Sequence, residues 1–138
     1  MDKAVELVLS KIKIDENRNE QIIILKEKDG SRYLPVVIGV AEVNAIKLKL
    51  SGIEPPRPLT HDLLLRVIEN FGGSLKRVVI DRLENSTFYA KLIVSKNGDK
   101  HEVEIDARPS DSIALALRAN VPILVNQSVL DEAGISEI

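Results

Sequence analysis

The feature that most restricts the possible folds of this chain is a set of short β-type segments joined by tight turns. These segments occur twice along the chain, in a similar order. In each series, three apolar or alternating segments precede a helical pattern, a loop and a second helical pattern. Turns at Asp29-Gly30 and Asn97-Gly98 predict one β-hairpin in each series. This order predicts an α+β fold with a mixed β-sheet and about four helices in one domain, since the 138 residues are enough for a single core.

The two series also predict internal duplication of a strand-strand-strand-helix-loop-helix unit, with pseudo-repeats over 3–73 and 74–138. At an offset of about 67 residues, Ile46–Leu50 falls on Ile113–Leu117 and Ile38 falls on Ile105. Short apolar matches also arise by chance, so duplication and coincidence both stay open on the sequence alone.

Periodicity assigns the individual elements. The predicted strands are Lys3–Ile14 with a bulge near Ser10, Gln21–Lys26, Tyr33–Ile38, Leu75–Leu83, Thr87–Lys96, His101–Ile105 and Ile123–Val125. Predicted helices run from Gly39 to about Ser51, from Thr60 to Phe71, over Ser112–Ala119 and over Ser128–Ala133. Thr60 and Ser110 are the predicted N-caps, Asn120 is a predicted left-handed stop, and 15–20 is a predicted turn. In the second helix, the predicted buried stripe is Leu64, Val67, Ile68 and Phe71.

Composition excludes several classes of function. The chain has no cysteine, which excludes disulfides and thiolate chemistry. Its apolar runs are too short to cross a membrane, and it begins without a signal-peptide pattern, so a cytoplasmic location is expected. The net charge of −2 and the 3% aromatic content argue against a broad nucleic-acid surface, so any contact with DNA or RNA is expected to be weak and local.

Chemistry-bearing residues concentrate in two Arg-Pro motifs. The first, Arg57–Asp62, includes His61, and the second is Asp106–Asp111; each leads into a helical pattern. Free N–H groups and the helix dipole favour anions at helix N-termini. A functional site is therefore expected at these two helix starts.

The motif residues resemble those of the bifunctional nuclease domain family. The matching blocks are Leu34–Gly39 with Glu42, Arg57–Leu64, Thr87–Ala90 and Ile105–Asp111 with Ala114–Ala116, in the family's order over nearly the whole chain. The resemblance implies a metal-assisted phosphodiester hydrolase that cleaves DNA and RNA with little sequence preference. The motif positions carried over from the family are Glu42, Arg57, His61, Asp62, Asp106, Arg108 and Asp111.

One or two Mg²⁺ or Mn²⁺ ions held by carboxylates are suited to such chemistry, because they activate water and neutralise the phosphate. Asp106 and Asp111 are the expected metal ligands, with Asp62 or Glu42 completing the shell. His61 is expected to orient or deprotonate the water. Arg57 and Arg108 are expected to bind the scissile phosphate.

Structural roles compete with each of these assignments. Asp62 and Asp111 stabilise a helix by lying in its first turn, and each arginine can pair with the nearby aspartate instead of a phosphate. The alternative function is therefore a non-enzymatic module that binds a phosphorylated small ligand or an acidic partner segment. Converging carboxylates favour the enzyme, whereas carboxylates paired separately to arginines favour the module. A homo-oligomer, suggested by the alternating strands and the apolar Ile123–Val125, would gather Arg57, Arg108 and scattered lysines into one groove.

Overall fold

Three strands and two helices form the first half of the fold. The computed structural model describes residues 3–14, 17 and 20–136. The first-half elements are β1 (Ala4–Ile14), β2 (Glu20–Glu27), β3 (Tyr33–Gly39), α1 (Val40–Leu50) and α2 (Thr60–Asn70). The bulge predicted near Ser10 is confirmed by a register shift between Leu9 and Lys11. The predicted turn over 15–20 lies mostly outside the described residues.

The second half contains four strands and two helices. Its elements are β4 (Gly73–Glu84), β5 (Thr87–Lys96), β6 (Glu102–Ala107), α3 (Pro109–Ala119), β7 (Ile123–Asn126) and α4 (Gln127–Ala133). Both predicted hairpins are confirmed, since β2 pairs with β3 and β5 pairs with β6, each antiparallel. The predicted α+β fold with a mixed sheet and four helices is therefore confirmed in the described part of the chain.

All seven strands form one sheet in the order β3-β2-β1-β7-β4-β5-β6. Two antiparallel three-stranded meanders flank β7, which is antiparallel to β1 and parallel to β4. The same arrangement occurs on both sides of β7. β2 and β5, like α2 and α4, begin 67 residues apart, at the offset predicted from the sequence. β1 and β4, β3 and β6, and α1 and α3 each begin 69 residues apart.

The hydrophobic core lies between the helices and one face of the sheet. α3 is its centre, contacting α1, α2 and strands from both halves. The fully buried side chains include Leu7, Ile23, Leu25, Leu34, Ile46, Val78, Ile80, Ile113, Leu115, Val125 and Leu130. Register shifts at two positions in β4 mark irregularities of the kind that bend a strand around a core.

The buried stripe predicted for α2 is wrong at Leu64, Val67 and Phe71 and right at Ile68. His61 is the buried residue of this helix, and Leu65 and Ile68 complete the inward face at helical spacing. Leu64, Val67 and Phe71 face solvent instead, with Phe71 84% exposed. The apolar residues of α2 occupy a wide arc of the helix surface. The rest of the chain packs against only one side of that arc, so periodicity alone did not show which residues are buried.

Both predicted N-caps are also wrong. α2 begins at Thr60 with Leu59 as its N-cap, and α3 begins at Pro109 with Arg108 as its N-cap. Neither Leu59 nor Arg108 caps its helix with its own side chain. At α2, the Asp62 carboxylate instead accepts the Leu59 N–H. At α3, Pro109 presets the first turn and has no N–H to satisfy. The left-handed stop at Asn120 is confirmed, with φ of 55°.

The reasoning from Ile123–Val125 to an oligomer is likewise overturned. These residues form β7 between β1 and β4, where Ile123 and Val125 are buried in the core. They are therefore not available to a partner. Across the described ranges, no helix combines the length and apolar character needed to cross a bilayer.

Candidate functional site

Arg108 is the central residue of a charged cluster at the N-terminus of α3. Its Nε donates to Asp111 Oδ2 at 3.1 Å, and its Nη2 donates to Glu42 Oε1 at 3.2 Å. The two carboxylates raise the pKa of the Arg108 guanidinium, chiefly through the charge of Asp111. The Arg108 side chain is 72% exposed, so the guanidinium joins two carboxylates while it remains accessible to an anion.

The two carboxylates occupy the same position in two helices. Glu42 is the third residue of α1 and Asp111 is the third residue of α3, and both helices follow a three-stranded meander. Glu42 is buried and folds back over Gly39, the N-cap of α1. A Cβ on Gly39 would lie 2.6 Å from Glu42 Oε2, so the glycine makes room for this carboxylate.

His61 contacts the carboxylate oxygen of Asp111 that Arg108 does not contact. Its Nε2 lies 3.0 Å from Asp111 Oδ1, so Asp111 contacts His61 through one oxygen and Arg108 through the other. The His61 side chain is only 10% exposed, because it lies on the inward face of α2. This burial suits a residue that orients Asp111.

A groove of about 490 Å³ lies beside the cluster. Its walls come from β3, the β4–β5 turn and the start of α3. They include Gly39, Thr87, Phe88 and Arg108. Arg108 thus faces a space open to solvent, with the N-termini of α1 and α3 next to it. Exposed N–H groups and an arginine at one place suit a phosphate ester.

Asp62 belongs to a second, separate cluster. Arg118, in the last turn of α3, donates from Nε to Asp62 Oδ1 at 2.5 Å, and Asp62 Oδ2 accepts the Leu59 N–H at 3.1 Å. Burial alone would raise the pKa of Asp62, but these hydrogen bonds and the charge of Arg118 lower it below its ordinary value. Arg118 also donates to the carbonyl of Ala45 at 3.4 Å, which links α1, α2 and α3.

Asp106 does not lie near the carboxylates of Glu42 and Asp111. Directly opposed residues of an antiparallel pair face the same side of a sheet, and Asp106 opposes Lys91 whereas Ile105 opposes the core residue Leu92. Asp106 therefore lies on the face opposite the helices. Among the described residues, no ion pair or hydrogen bond engages its carboxylate.

Arg57 also lies apart from the cluster. It is exposed in the loop before α2, and its guanidinium has no ion pair within the described ranges. The two Arg-Pro motifs consequently begin helices that are not topological counterparts, because α3 corresponds to α1 rather than to α2.

The donor set at the cluster comprises Glu42, Asp111 and, behind them, His61. Over 3–14, 17 and 20–136, no three histidine or acidic side chains are gathered closely enough to form a preformed metal cage. Mg²⁺ nevertheless commonly uses one or two carboxylates and completes its shell with water and substrate phosphate. Glu42 and Asp111 are two carboxylates of this kind, and both are bonded to Arg108 in this structure.

Sequence reasoning missed two residues that hold the helices and the Arg108 backbone in place. Arg118 was not recognised because an arginine in a last helical turn ordinarily indicates dipole stabilisation on the surface. Ser112 is fully buried, and its Oγ donates to the carbonyl of Arg108 at 3.0 Å. The signal for Ser112 was its position, four residues after Arg108 and facing the first turn of the helix.

Comparison with known proteins identifies the class to which this fold and cluster belong. The family model for the bifunctional nuclease domain matches residues 23–137. An uncharacterized protein of Mycobacterium tuberculosis is 48% identical over 124 residues, covering 90% of this chain and 73% of its own length. The chain belongs to the bifunctional nuclease domain family.

Relatives with a named activity are more distant and longer. Bifunctional nuclease 1 of Oryza sativa subsp. japonica is 30% identical over 130 residues, covering 92% of this chain but 39% of its own length. Bifunctional nuclease 2 of Arabidopsis thaliana is 32% identical over 108 residues, covering 76% of this chain and 32% of its own length. This chain therefore spans about a third to two fifths of these plant nucleases.

Proposed function

We propose that this chain is a divalent-metal-dependent nuclease that hydrolyses phosphodiester bonds of DNA and RNA at the Glu42–Arg108–Asp111 cluster. The observation that carries the proposal is the contact of Arg108 with both Glu42 and Asp111 beside an open groove. The nuclease names of family members support the reaction class.

In this proposal, each residue has a distinct task. Arg108 turns from the carboxylates to the scissile phosphate and neutralises its charge. Glu42 and Asp111, released by that movement, would hold Mg²⁺ or Mn²⁺. The bound ion would supply an activated water and stabilise the leaving oxygen. His61 keeps Asp111 oriented through Oδ1, leaving Oδ2 for the ion.

The position of Asp106 changes the assignment made from its motif. Its carboxylate is on the face of the sheet opposite the helices that carry Glu42 and Asp111, so we assign metal binding to those two residues instead. Asp62 is bound to Arg118, and we assign it a structural role. Arg57 remains exposed and is a candidate for secondary contact with the nucleic-acid backbone.

The decisive experiment compares two acid-to-amide variants of the cluster with a third on the opposite face of the sheet. Wild type, Asp111→Asn, Glu42→Gln and the matched control Asp106→Asn are purified identically and incubated with single-stranded DNA and RNA in Mg²⁺, Mn²⁺ or EDTA. The proposal expects metal-dependent cleavage by wild type and Asp106→Asn and its loss in both cluster variants. Cleavage that survives Asp111→Asn but not Asp106→Asn would assign the reaction to β6.

A second candidate function is a module that binds a phosphorylated ligand without cleaving it. The observation in its favour is that the buried and half-buried motif carboxylates pair with arginines, Glu42 and Asp111 with Arg108 and Asp62 with Arg118. Isothermal titration with a nucleoside monophosphate distinguishes the two. Binding that needs Arg108, without metal-dependent cleavage by wild type, supports the module over the enzyme.

A further inference from the structure

An uncovered apolar surface extends from α2 to the edge strand β6. Leu63, Val67 and Phe71 are spaced four residues apart along the outer side of α2, with Leu64 beside them. Val103 and Ile105 of β6 continue the surface. Phe71 and Val103 line one shallow groove, so the helix and strand parts are contiguous. All six of these side chains are exposed large hydrophobic residues.

The part of this surface that lies on β6 is on the core-facing side of the sheet, but no helix packs against it. Val103 and Ile105 oppose Val94 and Leu92 in the β5–β6 pair, so they face the side of the sheet that the helices cover elsewhere. The helical layer ends at α2, and both side chains remain exposed. In an antiparallel sheet, the face exposed to solvent is normally polar and the face towards the core is apolar. Val103 and Ile105 are on the core-facing side, so they require an apolar neighbour.

We infer that this α2–β6 surface is the interface between two copies of this chain. The six side chains expose on the order of 600 Å², which is at the upper end of what a monomer leaves uncovered and close to the roughly 800 Å² that each partner contributes to a standard interface. Phe71 alone is 84% exposed. This area is a large part of what a stable dimer requires.

The apolar character of the surface favours a second copy over a nucleic acid or an acidic peptide. Leu63, Val67 and Phe71 carry no charge, and the neighbouring cations are Arg66 of α2 and Lys96, which lines the groove beside Phe71. The six apolar side chains still require an apolar partner. Across a two-fold axis through Val67, antiparallel α2 helices would place Leu63 of each copy against Phe71 of the other, which buries like against like.

The first test uses a matched pair of leucines. Leu63 in α2 is 55% exposed and Leu50 in α1 is 59% exposed, but Leu50 lies outside the surface. Sedimentation velocity of wild type and Leu50→Glu should give a dimer, and Leu63→Glu should raise the dissociation constant by at least about 100-fold. A monomeric wild type, a dimeric Leu63→Glu, or equal dissociation by both variants would overturn the inference.

The second test does not depend on introducing a charge. Because the chain has no cysteine, a single engineered cysteine can form a disulfide only with the same cysteine of a second copy. Val67→Cys should form a disulfide-linked dimer on mild oxidation, and Leu50→Cys should not. Circular dichroism checks that each variant is folded. Failure of Val67→Cys to cross-link in a dimeric protein would assign the interface to another surface. The nuclease assay described above is independent of both outcomes.

Discussion

Glu42 and Asp111 come from opposite halves of the chain, yet both contact Nη2 of Arg108, at 3.2 and 3.1 Å. Each is the third residue of the helix that follows its meander. At the corresponding N-cap positions, the first half has Gly39 and the second half has Arg108. The two N-cap residues therefore differ in function. Gly39 leaves space for the Glu42 carboxylate, and Arg108 supplies the guanidinium that contacts both Glu42 and Asp111.

Gly39→Ala should displace the Glu42 carboxylate. The new Cβ would lie 2.6 Å from Oε2, and the flexible end of the glutamate must move. We expect Mn²⁺ affinity, measured by titration calorimetry, and cleavage to fall as in Glu42→Gln, with a loss of unfolding free energy of only about 1 kcal/mol.

Gly30→Ala is the matched control for that substitution. Its Cβ would lie 2.5 Å from Oε2 of Glu27, a carboxylate far from the groove that pairs with Arg32. Gly30→Ala should leave Mn²⁺ affinity and cleavage unchanged. Equal losses in both glycine variants would mean that the effect is a general loss of folding.

The Asp62–Arg118 pair should contribute to stability rather than to activity. Arg118 is 10% exposed on its side chain and links three helices, so Asp62→Asn leaves a buried guanidinium poorly satisfied and should cost about 1–3 kcal/mol in urea unfolding. Asp131→Asn is the control, because the pair of Asp131 with Arg32 is exposed and its loss should change the free energy of unfolding less than Asp62→Asn does.

Acid should weaken wild type more than Asp62→Asn. The pKa of Asp62 is lowered in the folded state, so its contribution is present above the ordinary aspartate pKa of 3.8 and is lost as the pH falls through the lower folded value. The free energy of unfolding, measured from pH 6 downwards at about half-unit steps, should therefore converge for the two proteins in acid. A constant gap would contradict this assignment.

Local sequence signals specified most of the fold. The β1 bulge, both hairpins and the Asn120 stop each depend on residues that are close in sequence, and all four are confirmed. The uncovered stripe of α2 was not predictable in the same way. Periodicity identifies an apolar face but does not show what packs against it, and here the chain itself leaves that face open.

The candidate site was predictable only in part. First-turn acids and Arg108 follow from the motif, but the contact of Glu42 with Arg108 joins residues 66 positions apart. The placement of Asp106 was available from the sequence, since strand pleating puts it on the side opposite Ile105 and Ala107. Arg118 gave no such signal, because its partner Asp62 lies in another helix.

Asn120 should be replaceable by glycine but not by alanine. Its φ of 55° and ψ of 47° place it in the left-handed region at the end of α3. Asn120→Ala should lower the free energy of unfolding by about 1 kcal/mol, whereas Asn120→Gly should be neutral or stabilising. Thermal unfolding of the two variants checks this, and equal stability would mean that the backbone relaxes locally.

His61 should act on the reaction through Asp111, which makes a conservative variant informative. A glutamine amide at this position can still donate to Asp111 Oδ1, whereas a leucine cannot. We expect His61→Leu to lower Mn²⁺ affinity or kcat by about 10–100-fold with little change in KM, and His61→Gln to restore part of the loss. Equal loss in both variants, with folding intact by circular dichroism, would instead indicate that the imidazole itself handles a proton. Unchanged Mn²⁺ affinity and cleavage in His61→Leu would remove His61 from the site altogether.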